Sequence, residues 1–377
     1  MTLTQRGSRI ASVGTALPPH RHTQQELTAM FADLVGLDGG ARRTVLDGLH
    51  GNSGVATRHI ALPLGRYAEL DGFTAANDEF LVHAVELSAA ALEDALARAG
   101  VRAEDVDTII TATVTGLAVP SLDARLVGRC GLREDVVRMP LVGLGCVAGA
   151  AGVARAHDVL RGRPDGLVAL VCVELCSLTV QRDDRSMANL VASGLFGDGA
   201  ACVLLAGPDH PLAQAPTAPP ADGAALATTH PAVSVRDSRS RFYAGTDRAM
   251  GFDVGGHGLR IVLDAQVPGL VLEHVRADVD GFLTHHGLTR ADIGFWVAHP
   301  GGPKVLQAME SALETAPGAL DVTWRSLERI GNLSSASVLH VLHDTLVDHP
   351  PEPESLGLLL AMGPGFCAEM VLLEASS

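Results

Sequence analysis

Positive charge is scarce in this chain. Its 377 residues carry 28 Lys and Arg against 43 Asp and Glu, a formal net charge of −15. Nucleic acid requires a basic footprint for its phosphates, so partners of that class are excluded. A small anionic substrate is still allowed, because a few arginines can cluster locally on an acidic surface. Lysine is rarer still: nearly every basic residue is Arg, with Lys304 the exception. That is a bias of composition with no mechanism attached. Long apolar runs are missing as well. The stretches 167–172 and 356–362 are too short to cross a bilayer. The opening MTLTQRGSRIASVG lacks the basic region and apolar run of a secretory signal. Six cysteines, most of them inside apolar runs, do not make a disulfide framework. Cys172 and Cys176 are spaced C-x3-C without a second matching pair, which argues against zinc. A soluble, cytoplasmic protein without membrane insertion or metal is expected.

What is present is a large core. Hydrophobic residues make up 47% of the chain and charged ones 19%, far from the composition of a disordered chain. The length suggests two domains or one large double-layered one. Strand-like runs at 9–13, 108–113, 167–173 and 200–205 alternate with Ala-rich helical stretches, notably 78–99. The runs at 108 and 167 are nearly all apolar, as in strands covered on both faces. Over 78–99 apolar residues recur at helical spacing, and Gly100 closes the helix as a C-cap. Between 206 and 232 the chain turns Pro/Ala-rich with little periodicity and reads as a surface connection. A second set of elements is predicted at 261–277, 294–298, 303–313, 335–347 and 356–362. The predicted fold class is α/β, with two mixed-sheet halves at 1–220 and 221–377.

Three segments carry chemistry. In MPLVGLGCVAGAAGVARAHDVL a strand-like run meets a glycine-rich turn bearing Cys146, then a helix whose first turns are Gly and Ala. A thiol at a buried helix N-terminus feels the positive end of the helix dipole, which lowers its pKa and favours the nucleophilic thiolate. An isolated cysteine is more often a core residue. The same loop also spells G-x-G-x-x-x-G through Gly143, Gly145 and Gly149, with Glu174 ending the next apolar strand, a weak dinucleotide-binding pattern. In FWVAHPGG a strand ends in His299, which a rigid element would point into a crevice. In GNLSSAS a loop opens a helix at Asn332, either as an N-cap or as an amide donor to a developing oxyanion.

Cys, His and Asn recur in that order, each on a loop that opens a helix. GLGCVAGAAG, HPGGPKVL and GNLSSAS resemble the corresponding segments of type III polyketide synthases, the chalcone-synthase-like enzymes. SGLFGDGAACVLL and LLAMGPGFCAEMVLL agree, so five segments match in order over essentially the whole chain. The resemblance implies a five-layered αβαβα thiolase fold built from two similar halves, a homodimer, and a cavity reached by a tunnel for the CoA arm. It implies acyl-CoA and malonyl-CoA as substrates, with no further cofactor. Carried over, Cys146 matches the acylated nucleophile, His299 and Asn332 the decarboxylation and oxyanion pair, and Phe196 an aromatic gatekeeper. Gly363, Pro364 and Gly365 match the turn that shapes the floor of the site. Arg58 is a candidate contact for CoA phosphates.

The departures bear on substrate. The second gatekeeper, Phe in plant-type enzymes, falls on Ile261. The lining segment reads Thr113-Val114-Thr115-Gly116, and a lining Thr falls on Cys176 while Thr179 is kept. An apolar lining at Val114 and Ile261 suits an aliphatic acyl starter better than a phenylpropanoid. The AMGPGFCAE ending and NSGVATRHIALPL look more like bacterial alkylpyrone and alkylresorcinol synthases, so a pyrone or resorcinol-type product is expected. Three other readings compete. An initiating ketoacyl-ACP synthase also uses Cys, His and Asn, but its histidine segment is HQAN-like where this chain has HPGG. A nicotinamide-dependent oxidoreductase rests on the glycine pattern. A non-catalytic thiolase-fold subunit is disfavoured by retention of all three polar residues.

Overall fold

A computed structural model describes residues 7–37, 39–214 and 232–376. The first half runs β1 (Ser8–Ala16), β2 (His20–Thr23), α1 (Gln24–Leu34), α2 (Gly40–Gly51), β3 (Thr57–Ile60), α3 (Gly72–Ala99), β4 (Thr108–Thr113), α4 (Leu122–Cys130) and β5 (Val137–Val142). It continues through α5 (Ala148–Gly162), β6 (Leu167–Leu175), α6 (Met187–Leu195), β7 (Asp198–Ala206) and α7 (Pro211–Gln214). The second half holds β8 (Val233–Phe242), β9 (Met250–Gly255), β10 (Gly258–Leu263), α8 (Val267–His285), β11 (Ile293–Ala298) and α9 (Pro303–Leu313). It ends with α10 (Asp321–Ile330), α11 (Ser337–Asp348), β12 (Leu356–Gly363) and β13 (Cys367–Ala375).

Nine strands form one mixed sheet in the order β11-β12-β13-β8-β1-β7-β6-β4-β5. β1 joins the halves by pairing antiparallel with β7 on one side and β8 on the other. Side chains alternate across each strand with period two, so each strand serves two cores. In β6, Val168, Leu170 and Cys172 enter a central core with α5 and α11, while Leu167, Ala169 and Val171 face α3. In β12, Leu359 and Ala361 enter the same central core, while Leu358 and Leu360 face α8 and α9. The layers are therefore α3/α4, half-sheet, α5/α11, half-sheet, α8/α9: the five-layered αβαβα thiolase arrangement. Every residue of β6 and β7 is buried, which is why their sequences are almost uniformly apolar.

The runs expected at 9–13, 108–113, 167–173 and 200–205 fall within β1, β4, β6 and β7. The helix expected at 78–99 starts earlier, at Gly72, and ends where Gly100 turns left-handed (φ 67°). The single element expected at 261–277 is instead the end of β10 and the start of α8, divided by a turn with Pro268 in the first turn of the helix. The half-boundary at 220/221 lies outside the described residues.

Central helix α5 is buried through close backbone approach. A Cβ on Gly149 would lie 2.4 Å from the Ser335 carbonyl oxygen, and one on Gly152 would lie 2.4 Å from Leu170 Cδ1. The Gly and Ala of its first turns thus bring the segment ahead of α11 against the loop that carries Cys146. That contact builds the site.

Candidate active site

Cys146 sits in a single 3-10 turn, Gly145–Val147, between β5 and α5. Gly145 is left-handed (φ 52°), and a Cβ there would meet Pro364 Cγ at 2.7 Å, so both conformation and space demand glycine. The thiol points to Ser334 Oγ at 3.6 Å. His299 follows the last residue of β11, its N–H donating to the Leu360 carbonyl at 2.9 Å. It is buried, and neither Nδ1 nor Nε2 has a hydrogen-bond partner. Both ring nitrogens are therefore uncommitted to other protein groups. Asn332 is anchored by its N–H to the Leu195 carbonyl (2.8 Å), and its own carbonyl accepts from Gly197 N–H (3.0 Å). Phe196 and Asn332 thus face each other as a short parallel bridge.

The three residues line one cavity, part of it continuous with solvent. The same cavity takes Phe196, Val114, Thr115, Cys176, Thr179, Ile261, Pro364 and Arg58. Gly363 and Gly365 do not line it. A Cβ on Gly363 would sit 2.7 Å from Val147 Cβ, so that glycine lets the Pro364 turn press against the nucleophile's turn. Much of the remaining wall is apolar and comes from α1, through Leu27, Met30, Phe31 and Leu34.

Burial sets the resting charges. Loss of solvent pushes the Cys146 thiol up to about 12, slightly offset by the Ser334 hydroxyl. The expected lowering of the thiol pKa by the helix terminus is therefore outweighed by desolvation of the anion. Burial likewise lowers His299 to about 3. Each group alone therefore prefers to be neutral.

Arg58 also departs from expectation. It is buried, donates from Nε and Nη2 to Gln24 Oε1 (3.1 and 2.9 Å), and from Nη1 to the Phe196 carbonyl (2.6 Å). These three donors are committed inside the protein, so it braces the Phe196 backbone and is not a surface contact for CoA phosphates. Burial lowers it to about 10, opposed by the charge of Asp198. The dinucleotide pattern fails for a similar reason. The closeness that Gly149 permits is to Ser335, and Glu174 is fully buried, accepting from Ser335 Oγ (2.6 Å), Thr115 Oγ1 (2.8 Å) and Val114 N–H (3.1 Å). No ribose can reach it. Burial still raises the Glu174 pKa despite these donors.

Sequence reasoning missed the α1 wall, although positions 27, 30, 31 and 34 carry an amphipathic spacing that marks one helix face. It also missed Ser334, whose side chain is revealed only by folding. Among the described residues, no group of three or more His, Cys, Asp or Glu is placed to hold a metal. No helix among them is long and apolar enough to cross a membrane.

With the geometry in place, comparison with known proteins is informative. The family described as "Chalcone and stilbene synthases, N-terminal domain" matches residues 2–209, and its C-terminal counterpart matches 234–377. A 1,3,6,8-tetrahydroxynaphthalene synthase of Streptomyces peucetius subsp. caesius is 50% identical over 373 residues, 99% of this chain and 94% of that protein. A putative chalcone synthase of Bacillus subtilis is 31% identical, covering 97% of this chain and 98% of its own length. Among solved structures, the 1,3,6,8-tetrahydroxynaphthalene synthase of Streptomyces coelicolor A3(2) superposes with a TM-score of 0.88 at 29% identity, covering 98% of this chain and 99% of that one.

Proposed function

The chain belongs to the chalcone and stilbene synthase family, the type III polyketide synthases that condense CoA thioesters, and from that premise we propose how its residues divide the work. Cys146 attacks the thioester carbonyl of an acyl-CoA, its proton passing to His299. The tetrahedral intermediate collapses, CoA leaves with that proton, and the acyl group stays on sulfur. Malonyl-CoA then enters with its thioester oxygen against His299 Nε2 and the Asn332 amide. Loss of CO2 places the electron pair on an enolate whose oxygen those donors stabilise. The enolate carbon attacks the Cys146 thioester, sulfur leaves, and the lengthened chain is carried by CoA for another round. Splitting transfer from condensation through a covalent acyl-enzyme is ordinary nucleophilic catalysis. Phe196 excludes water from the thioester. The observation that carries this reading is a buried cavity holding a thiol, an imidazole with two unpartnered nitrogens and Asn332.

For the starter, the 50% identity to a tetrahydroxynaphthalene synthase over 99% of the chain carries the first reading. A ten-carbon ring system with oxygen on alternating positions and no side chain is assembled from five two-carbon units. The starter is then malonyl-CoA itself, and ring closure yields a polyhydroxylated naphthalene. The apolar α1 wall with Val114 and Ile261 favours a second reading, an aliphatic acyl starter closed to a pyrone or resorcinol. Incubation with malonyl-CoA alone, then with acyl-CoAs of graded length, separates them by product mass. The first reading expects an aromatic product from malonyl-CoA alone. Turnover only when an aliphatic acyl-CoA is added would replace it with the second.

The enzyme is further proposed to work as a homodimer through the β5 edge. Val142 there and Leu117 and Val119 in the loop after β4 are exposed, Val119 at 99%. An unpaired strand edge flanked by bare apolar side chains is a natural pairing surface. Sedimentation velocity is expected to give twice the chain mass, and a monomer at micromolar concentration would refute it.

A further inference from the structure

The structure points to Ser337, a residue outside the cavity, as the positioning residue that fixes the Asn332 amide for the decarboxylation step. This rests on the oxyanion role proposed for Asn332. An amide on a short side chain has a broad, nearly two-fold terminal torsion, so nothing intrinsic decides which end meets the substrate. Here the decision is made by hydrogen bonds on the oxygen. Asn332 Oδ1 accepts from the Ser334 N–H at 2.8 Å and from Ser337 Oγ at 3.3 Å. The first closes an Asx-turn, in which the side-chain oxygen caps the backbone two residues on. It is possible because Ser334 adopts a left-handed conformation (φ 48°), rare for a residue with a side chain. The second has its direction imposed. Ser337 Oγ accepts the Leu333 N–H at 2.6 Å, so its own single proton is free for Asn332 Oδ1.

Ser337 is wholly buried and Asn332 nearly so. Reversing the amide would set its NH2 against one N–H donor and strip the acceptor from another, a costly exchange away from water. Both lone pairs of Oδ1 are thus occupied on the protein side, which leaves Nδ2–H as the end offered to the cavity. A preorganised donor is worth most where charge develops in a water-poor site. Ser337 supplies that preorganisation without touching substrate.

The test separates two half-reactions. Transfer of a labelled acyl group to Cys146 is followed by rapid quench, and malonyl-CoA decarboxylation by release of labelled CO2. Ser337→Ala is expected to slow decarboxylation about tenfold, with acyl transfer and the KM for malonyl-CoA within about twofold, as loss of one orienting bond predicts. Ser337→Cys keeps the size and a weak donor, so it is expected to fall between, and it carries the test if the alanine variant does not fold. In an Asn332→Ala background, Ser337→Ala is expected to slow decarboxylation no further, because a residue acting through another contributes nothing once that other is gone. Equal losses in both backgrounds, equal slowing of acyl transfer, or no slowing at all would overturn the inference. If Asn332→Ala itself leaves decarboxylation unchanged, the proposed role of Asn332 fails and this inference fails with it. If Asn332→Ala is slow but the two effects multiply, only the Ser337 assignment is lost.

Discussion

Cys146→Ala is expected to abolish polyketide formation while malonyl-CoA decarboxylation continues. The condensation needs a thioester on the protein, and a methyl group cannot carry one, so product is expected to fall by at least about 10³-fold. Decarboxylation needs only donors for the enolate oxygen, and in the proposed mechanism those are His299 and Asn332. They are held by contacts that do not involve the thiol: His299 by the Leu360 carbonyl, Asn332 by the Leu195 carbonyl and the Ser334 N–H. The variant is expected to convert malonyl-CoA to acetyl-CoA at a rate within about tenfold of the unaltered enzyme. Removing one half-buried sulfur beside Ser334 is expected to leave the packing of α5 intact, so circular dichroism and melting are expected to change little. Loss of decarboxylation with the fold intact would mean that the thiol takes part in enolate formation, contrary to the mechanism above.

His299→Ala is expected to have the widest effect, because it removes two functions at once. As the proposed donor to the enolate oxygen, the imidazole is expected to be worth about 10²- to 10³-fold in decarboxylation, the usual cost of losing one such group. In the proposed mechanism it is also the base that takes the Cys146 proton. Burial disfavours the thiolate, raising the thiol to about 12 when it stands alone, with Glu174 adding an unfavourable charge. In the proposed mechanism an imidazole that accepts the proton opposes this. Without it, alkylation of Cys146 by iodoacetamide is expected to set in at higher pH than in the unaltered enzyme. The sign follows from the acid: lowering the fraction ionised at a given pH moves the profile upward. An unchanged alkylation profile would remove His299 from the proton path, and undiminished decarboxylation would remove it from the enolate.

What was legible in the sequence was local. Cys146, His299 and Asn332 each lie on a loop that opens or precedes a helix, and glycine, proline and capping residues write such loops plainly. The strands β6 and β7 were legible because burial on both faces leaves an uninterrupted apolar run. What failed depended on burial or long-range contact. Arg58 reads as a surface cation until Gln24 and the Phe196 carbonyl enclose it. The thiolate expected of a helix terminus depends on solvent that the fold removes. Glu174 fits a nucleotide pattern in one dimension, but in three its oxygens are taken by Ser335 and Thr115. Ser337 reads as one more serine in a serine-rich loop, and only the fold shows which oxygen its proton serves. The α1 wall was written in the spacing of Leu27, Met30, Phe31 and Leu34, yet nothing in that helix says which cavity it closes.

The proposed mechanism loads the acyl chain onto Cys146 as a thioester before each condensation. Brief incubation with labelled malonyl-CoA or an acyl-CoA, acid quench, proteolysis and mass spectrometry test it directly. An acyl adduct is expected on the peptide containing Cys146, cleaved by hydroxylamine as a thioester is, and absent from Cys146→Ala. An adduct on Cys176, Cys367 or any other residue, or product formation with no adduct in the Cys146→Ala enzyme, would contradict it.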